Sequence, residues 1–225
     1  MTTHWLPAEW PAPANIVAGM TLRGGDIEQL ALPGKPCWLT QVHGARVVPV
    51  GRYDTPPEAD ALVGHKPGDV CAVRTADCLP LLLCATDGTE IAAAHAGWRG
   101  LAAGVIEATV ASMTHQPGDL LAWMGPAISQ PAFEVGGEVR EAFLARDPEA
   151  AACFYRNDRA RWQADLYGLA RRRLRAVGVT AVYGGCFCTY ADTERFFSYR
   201  RDGDSRRMVS VVALSALENT DGAAI

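Results

Sequence analysis

The sequence is poor in histidine, has no strong net charge and contains no long apolar run. Only five of the 225 residues are histidines. The net charge of −4 provides no basic surface for nucleic acid or an anionic membrane. No apolar stretch reaches the ~18 residues of a membrane span, and prolines interrupt residues 5–13, where a signal peptide would need an apolar segment. We therefore expect a cytoplasmic protein without nucleic-acid or membrane partners.

The seven cysteines are odd in number and irregularly spaced, which is not the pattern of a disulfide framework. We expect reduced thiols, most of them packed in the core as small apolar side chains. Apolar residues make up 49% of the chain and charged residues 20%, as in ordinary globular proteins. No repeat or linker divides the sequence. We interpret residues 1–225 as one domain with a frayed tail from about residue 218.

The spacing of apolar residues indicates several strands and three helices. Apolar or β-branched runs predict strands at 38–50, 70–75, 79–85, 91–95, 120–124, 179–186 and 208–214. Helical spacing predicts helices over 101–113, 138–146 and 165–177. These elements neither alternate strictly nor segregate fully, so the sequence predicts an α+β or α/β architecture with a mixed sheet.

Two histidines and a cysteine lie at or beside predicted strand ends, each in an apolar segment. They are His43 (in QVHG), Cys78 (in TADCLP) and His95 (in AHAGWRG). These residue types bind zinc readily, and three protein ligands leave a fourth position open for water or substrate. Taken alone, a histidine in an apolar strand is more often a satisfied core residue than a metal ligand. If the three side chains converge, they form a catalytic metal site.

Cys78 has a second interpretation, as a nucleophile. His95 would then be its base, and Asp77 would orient His95. His43 has no place in such a triad, which slightly favours metal binding. Cys78, His95 and Asp77 are therefore our catalytic candidates, and the choice between ligand and nucleophile stays open at this point.

Two further segments favour anion binding. Arg99 stands at the start of a predicted helix, where free backbone N–H groups attract anions. Its alternative role is a salt bridge to Asp77 or Glu107. The segment FFSYRRDG at 196–203 combines aromatic rings with guanidinium groups, which suits stacking of a planar base beside an anion. The alternative is a strand-edge turn with surface arginines.

Together these segments resemble the YfiH family, also called the laccase-domain or multicopper polyphenol oxidase-like family. The resemblance implies an α+β fold of mixed sheets packed with flanking helices, and a zinc ion bound by His43, Cys78 and His95. The matching pieces keep their family order: QVHG (41–44), ADA (59–61), TADCLP (75–80), HAGWRG (95–100), GPAI (125–128), FEVG (133–136), CT (188–189) and FFSYRRD (196–202).

The resemblance implies activities of different classes. We prefer phosphorolysis of adenosine, inosine, guanosine and methylthioadenosine, with adenosine deamination, because it is the broadest attribution. The alternatives are peptidoglycan editing, in which a misplaced serine is hydrolysed from a UDP-muropeptide, and copper-dependent polyphenol oxidation. Five histidines are too few for several coppers, although one copper could occupy the zinc site in vitro. A metal-free cysteine hydrolase and a degenerate metal- or partner-binding module are further alternatives.

The substrate contacts implied by the resemblance and by side-chain chemistry are Gln41, Arg23, Arg99, Phe197, Arg200 and Arg207. Arginines would hold phosphate, bidentately where geometry allows, and Phe197 or Tyr199 would stack the purine. The sequence departs from the family at two places. RGG at 23–25 is kept, but the serine-leucine-asparagine-leucine segment after it is missing and the chain is shorter there. SRR at 205–207 replaces threonine-glycine-arginine.

Overall fold

The computed structural model describes residues 4–216, in which strands outnumber helices. The helices are α1 (Trp98–Ala103), α2 (Val105–Ser112), α3 (Gly137–Leu144), α4 (Leu166–Ala176) and α5 (Tyr199–Asp202). The strands are β1 (Trp5–Pro7), β2 (Ile16–Thr21), β3 (Val47–Pro49), β4 (Ala61–Gly64), β5 (Val70–Thr75), β6 (Leu79–Ala85), β7 (Ile91–Ala96), β8 (Leu120–Met124), β9 (Glu134–Val135), β10 (Phe154–Arg156), β11 (Trp162–Ala164), β12 (Ala181–Gly184) and β13 (Met208–Leu214).

The central layer is a six-stranded mixed sheet in the order β12-β8-β6-β7-β4-β3. Its outer pairs, β12 with β8 and β3 with β4, are parallel, and the inner pairs are antiparallel. Both faces are buried. Leu81 and Leu83 join the core beneath the helices, whereas Leu82 joins the core shared with a second sheet. Each buried leucine stabilises the fold by roughly 1.5–3 kcal/mol, so β6 is apolar throughout rather than alternating.

The second sheet is four-stranded and antiparallel, in the order β1-β2-β13-β5. Met20, Val73 and Val212 pack from it against the central sheet. A small third sheet, β10-β11-β9, lies beside α3. The result is a layered α+β fold of mixed sheets with flanking helices, as predicted. Within residues 4–216, no helix is long and apolar enough to cross a membrane.

The most apolar predicted elements are confirmed. β5, β6, β8 and β13 have the predicted bounds, and β7 extends one residue beyond the predicted 91–95. Helices α3 and α4 fill most of the predicted 138–146 and 165–177. Asp165 begins α4 by accepting a hydrogen bond from the backbone N–H of Gly168.

Three predicted elements differ in the structure. The strand expected at 38–50 contains only β3, because a buried carboxylate draws the backbone of residues 42–44 into a loop. The helix expected at 101–113 is divided into α1 and α2 at Gly104, whose φ of 101° is left-handed. The strand expected at 179–186 is shortened to β12. The frayed tail from about 218 lies outside the described residues, and the one-domain interpretation stays a prediction.

The central hairpin explains how distant residues meet. Cys78 immediately precedes β6 and His95 lies near the end of β7, and the antiparallel register sets Leu79 opposite Ala96. The loop before β3 brings His43 to the same end of the sheet. We call this end of the sheet the cleft end, because an open cleft lies beside these three residues.

Candidate metal centre and its cleft

Three side chains converge at the cleft end. The candidate ligand atoms of His43, Cys78 and His95 all lie within 4.8 Å of one another. The two imidazole rings meet edge to face, with centroids 4.7 Å apart. His95 is buried, Cys78 is partly buried and His43 is exposed. This gradient leaves one side of the cluster accessible from solvent, as a site with an open coordination position requires.

Asp60 holds both histidines. Its carboxylate lies 2.8 Å from the Nδ1 atom of His95 and is fully buried. The same carboxylate accepts backbone hydrogen bonds from Val42, His43 and Gly44 at 3.2, 2.9 and 2.6 Å. Because Nδ1 of His95 is engaged, the Nε2 atom is the one free to bind a metal.

The electrostatics of the cluster favour a thiolate. Burial acts to raise the pKa of Cys78, but hydrogen bonds with His43 and His95 outweigh it and lower that pKa to about 6. Burial acts to lower the pKa of His95, but hydrogen bonds with Asp60 and Cys78 raise it to about 9. The thiolate is the form of cysteine that binds metals and also the form that acts as a nucleophile. These shifts therefore suit both interpretations of Cys78.

Gly97 makes the close approach of Cys78 possible. A β-carbon at residue 97 would lie 2.8 Å from the Sγ atom of Cys78 and 3.3 Å from Cδ2 of His43. Any larger side chain would push on two of the three candidate ligands. The glycine between His95 and α1 is thus a packing requirement of the cluster.

The cluster forms part of the wall of an open cleft of about 560 Å³. Three arginines share this cleft: Arg74, Arg99 and Arg207. Within residues 4–216, none of them forms an ion pair with a carboxylate; Glu107, one expected partner of Arg99, pairs with Arg173 instead. The other lining residues are Leu39, Gln41, Thr75, Ala76 and Tyr199.

Each of these arginines lies against an aromatic ring. The Arg74 guanidinium is 3.8 Å from the centre of the Trp38 ring, and that of Arg99 is 4.5 Å from the Trp98 ring. Arg207 lies 5.6 Å from the Tyr199 ring and donates to the backbone carbonyls of residues 204 and 206. Gln41 exchanges two 2.8 Å hydrogen bonds with the backbone of Arg74. The cleft is therefore positively charged and partly preformed.

Asp77 has different neighbours from those expected of an orienting acid. Its buried carboxylate accepts hydrogen bonds from the hydroxyls of Thr189 and Ser198 at 2.6 and 3.0 Å and from the N–H of Arg200 at 2.7 Å. The carboxylate on His95 is that of Asp60. Asp77 therefore connects the start of α5 with the backbone directly before Cys78. Asp60 takes the position of the orienting acid.

Three of the implied substrate contacts are absent from the cleft lining formed by residues 4–216: Arg23, Phe197 and Arg200. Arg23 donates to the carbonyl of Phe196 and lies 4.5 Å from the Phe197 ring. Arg200 donates to the carbonyl of Glu134. Gln41, Arg99 and Arg207 do line the cleft, so the structure brings half of the implied set together with the metal candidates. All six assignments as substrate contacts stay predictions.

Sequence reasoning missed Asp60 and Arg74. Asp60 was visible as a lone acid between two alanines at the start of an apolar run, where an unpaired buried charge would be costly. Arg74 was visible as the one charged residue in β5, and it is the exposed position of that strand.

A family model and several relatives of known name match most of this chain. A family model described as multi-copper polyphenol oxidoreductase laccase matches residues 26–215. Purine nucleoside phosphorylase YfiH of Escherichia coli K12 is 55% identical over 184 residues, or 81% of this chain and 75% of that protein. Purine nucleoside phosphorylase PA4543 of Pseudomonas aeruginosa is 47% identical over 238 residues, or 93% of this chain and 98% of that protein. That alignment is longer than the 225-residue chain, so part of the Pseudomonas protein has no counterpart here.

Solved structures share the same fold. The crystal structure of Neisseria meningitidis protein NMB0706, of family DUF152, has a TM-score of 0.90 and 42% identity, covering 95% of this chain and 100% of that one. YlmD from Geobacillus stearothermophilus has a TM-score of 0.88 and 26% identity, covering 96% and 98%. Sequence match, fold and the His-Cys-His cluster lead to one conclusion: this chain belongs to the YfiH family of laccase-like proteins.

Proposed function

We propose that this protein is a zinc-dependent purine nucleoside phosphorylase. Its substrates would be adenosine, inosine, guanosine and methylthioadenosine, and it would also deaminate adenosine. The observation that carries the proposal is the sharing of one cleft by a His-Cys-His cluster and three arginines that have no acidic partner among residues 4–216. The names of relatives that are 55% and 47% identical support the reaction class.

The ligand set suits a single zinc ion. Zinc favours thiolate and imidazole ligands, and three of them leave the position that catalytic sites keep open. When bound, zinc supplies a Lewis acid that polarises a substrate oxygen or activates water. The His43, Cys78 and His95 cluster is the only one of its kind in residues 4–216, and the remaining residues contain neither histidine nor cysteine. This argues against oxidation by several coppers.

The arginines would bind the attacking phosphate. In phosphorolysis a phosphate oxygen forms a bond to C1′ of the ribose while the bond from C1′ to the purine nitrogen breaks, giving ribose 1-phosphate and free base. Arg74, Arg99 and Arg207 provide guanidinium groups, and no carboxylate in the described part of the chain forms an ion pair with them. Such groups form charge-assisted, often bidentate bonds to phosphate. Contacts with the Trp38 and Trp98 rings would help to hold the guanidinium groups of Arg74 and Arg99 in place before phosphate arrives.

Tyr199 would stack the purine. It is 59% exposed, lines the cleft and lies beside Arg207. Asp77 would set the position of this wall of the cleft, through its hydrogen bond to the N–H of Arg200.

The decisive assay is incubation of adenosine with the zinc-loaded protein, with and without phosphate, without oxygen. Adenine plus ribose 1-phosphate, formed only with phosphate, is the expected result, and inosine in both arms marks deamination. Cleavage of a serine-bearing UDP-muropeptide, with adenosine left intact, would overturn the proposal in favour of peptidoglycan editing. Oxygen-dependent oxidation of a phenol by a copper-loaded sample, with adenosine left intact, would overturn it in favour of the laccase activity.

Arg99→Ala tests the phosphate site. Charged hydrogen bonds contribute about 1.5–3 kcal/mol, so we expect the KM for phosphate to rise roughly 10- to 150-fold. Deamination of adenosine without phosphate should be unchanged. Arg175→Ala, which removes an exposed arginine of α4 outside the cleft, is the matched control. An equal loss of both reactions in Arg99→Ala would contradict a phosphate-binding role.

A cytoplasmic location is part of this proposal. Metal binding by Cys78 requires a reduced thiol, and all seven cysteines are free in the structure.

A further inference from the structure

One carboxylate touches two of the three candidate metal ligands. Asp60 lies directly before β4 and its side chain is fully buried. Its Oδ1 atom contacts the Nδ1 of His95 and accepts from the backbone N–H of His43, at 2.8 and 2.9 Å. Its own carbonyl accepts from the backbone N–H of His95 at 2.7 Å. Both histidines thus depend on the same residue.

The loop that carries His43 is built around this carboxylate. His43 has a φ of 61°, in the left-handed region that residues other than glycine rarely occupy. Hydrogen bonds from Val42, His43 and Gly44 to Asp60 satisfy three successive N–H groups there. Within residues 4–216, no other side chain accepts from these three groups. The unusual backbone is therefore held by Asp60.

For His95 the consequence is chemical. A carboxylate only accepts hydrogen bonds, so Nδ1 of His95 must carry a proton, and Nε2 is the nitrogen whose lone pair can bind a metal once its own proton is released. An asparagine amide would have one oxygen and one donating nitrogen for four donors. It would leave N–H groups of the loop unpaired or favour the tautomer in which Nε2 is protonated and cannot bind a metal.

We propose that Asp60 is the positioning residue of the metal centre, which sets the tautomer of His95 and the loop conformation of His43 and thereby determines metal affinity. This inference rests on the metal site of the proposed function but not on the identity of the substrate. Partners of this kind change metal affinity by about 10- to 100-fold in other metalloproteins.

The protein offers a closely matched control. Glu90 is also a buried carboxylate, 1% exposed, and it lies 2.8 Å from the Nδ1 atom of His115. It also accepts from backbone N–H groups, those of Thr114 and His115. Glu90 lies at the opposite end of β7 from His95. Glu90→Gln therefore has the same kind of structural cost without touching the metal candidates.

The experiment compares zinc affinity in Asp60→Asn, Glu90→Gln and wild-type protein, by competition with a chromophoric chelator under reducing conditions. We expect Asp60→Asn to bind zinc about 10- to 100-fold more weakly and Glu90→Gln to bind as wild type does. Cobalt-loaded Asp60→Asn should also have an altered visible spectrum. Unchanged affinity in Asp60→Asn, or an equal loss in both variants, would overturn the proposal. A wild type that binds no zinc would instead refute the metal site itself.

A measurement on the wild type covers the case in which Asp60→Asn does not fold. Imidazole nitrogen shifts from NMR report the tautomer of each histidine. The proposal requires the His95 ring to be protonated on Nδ1 in the zinc-loaded protein. A ring protonated on Nε2 would overturn it.

Discussion

Strand β7 has a buried carboxylate in contact with an imidazole at each of its ends, and the two pairs differ in what surrounds the ring. At the cleft end, Asp60 contacts the Nδ1 of His95, and the rest of that ring faces Cys78 and His43. At the opposite end, which we call the turn end, Glu90 contacts the Nδ1 of His115 at the same 2.8 Å distance. There the Nε2 of His115 lies 3.1 Å from Asp87.

The difference shows that a buried histidine–carboxylate pair can belong either to a candidate metal site or to a purely structural hydrogen-bond network. His115 has an acceptor on both ring nitrogens, so its hydrogen-bonding capacity is used within the fold. His95 has a carboxylate on Nδ1, and its other nitrogen faces Cys78 and a second histidine beside an open cleft. A histidine–carboxylate pair therefore indicates a metal site only when the second nitrogen faces another candidate ligand rather than a second carboxylate.

Removing the Cys78 thiol should have the largest effect on zinc binding at the cleft end. We expect Cys78→Ala to lose zinc almost completely, as measured by elemental analysis, and to lose phosphorolysis with it. Cys84→Ala, which removes a buried thiol from β6 in the same sheet, is the control and should keep both. His43→Ala should lose zinc as well. If His43→Ala kept full activity while Cys78→Ala was inactive, Cys78 would be a nucleophile rather than a ligand.

Crowding the cleft end should have the next largest effect. In Gly97→Ala the new β-carbon would lie 2.8 Å from the Sγ atom of Cys78, so the thiol must move. We expect a zinc affinity at least about tenfold lower, with the fold retained, because ligand positions must be held within about 0.5 Å. Gly118→Ala, with nothing within 4 Å of its β-carbon, is the control. Wild-type affinity in Gly97→Ala would show that the cluster tolerates displacement of the thiol.

The fold was predictable where burial alone decides the structure. β5, β6, β8 and β13 are continuous apolar runs, and their predicted bounds are confirmed. Prediction was wrong where one side chain redirects the backbone. Residues 42–44 have strand-like neighbours, but the carboxylate of Asp60 draws their N–H groups into a loop. A contact between residues so far apart in sequence leaves no local pattern.

The site was predictable by residue type but not by neighbour. His43, Cys78 and His95 are recognisable because histidine and cysteine at strand ends have few roles other than metal binding, catalysis or core packing. The choice of orienting acid was decided by proximity in sequence, which favoured Asp77 beside Cys78. Strand pairing of β4 with β7 instead brings Asp60 to His95. Only the register of the sheet contains that information.

The turn end should respond to pH rather than to metal. The pKa of His115 is raised, first by its hydrogen bond to Glu90 and then by that to Asp87, with His65 also 3.1 Å from Glu90. A raised folded-state pKa means that this stabilisation is complete below the unfolded value of about 6.5 and is lost as pH rises through the folded value.

We therefore expect His115→Gln to lower the free energy of unfolding more at about pH 5.5 than at about pH 9, measured by urea denaturation beside wild type. The effect should be the smallest of those above, since the ring is partly exposed. Zinc affinity should not change, because no metal candidate touches this pair. A deficit that was equal at both pH values would mean that His115 stabilises the turn end by packing rather than by charge. Reduced zinc affinity would mean that the two ends of β7 are coupled. It would contradict the view that the Glu90–His115 pair is structural and independent of the metal centre.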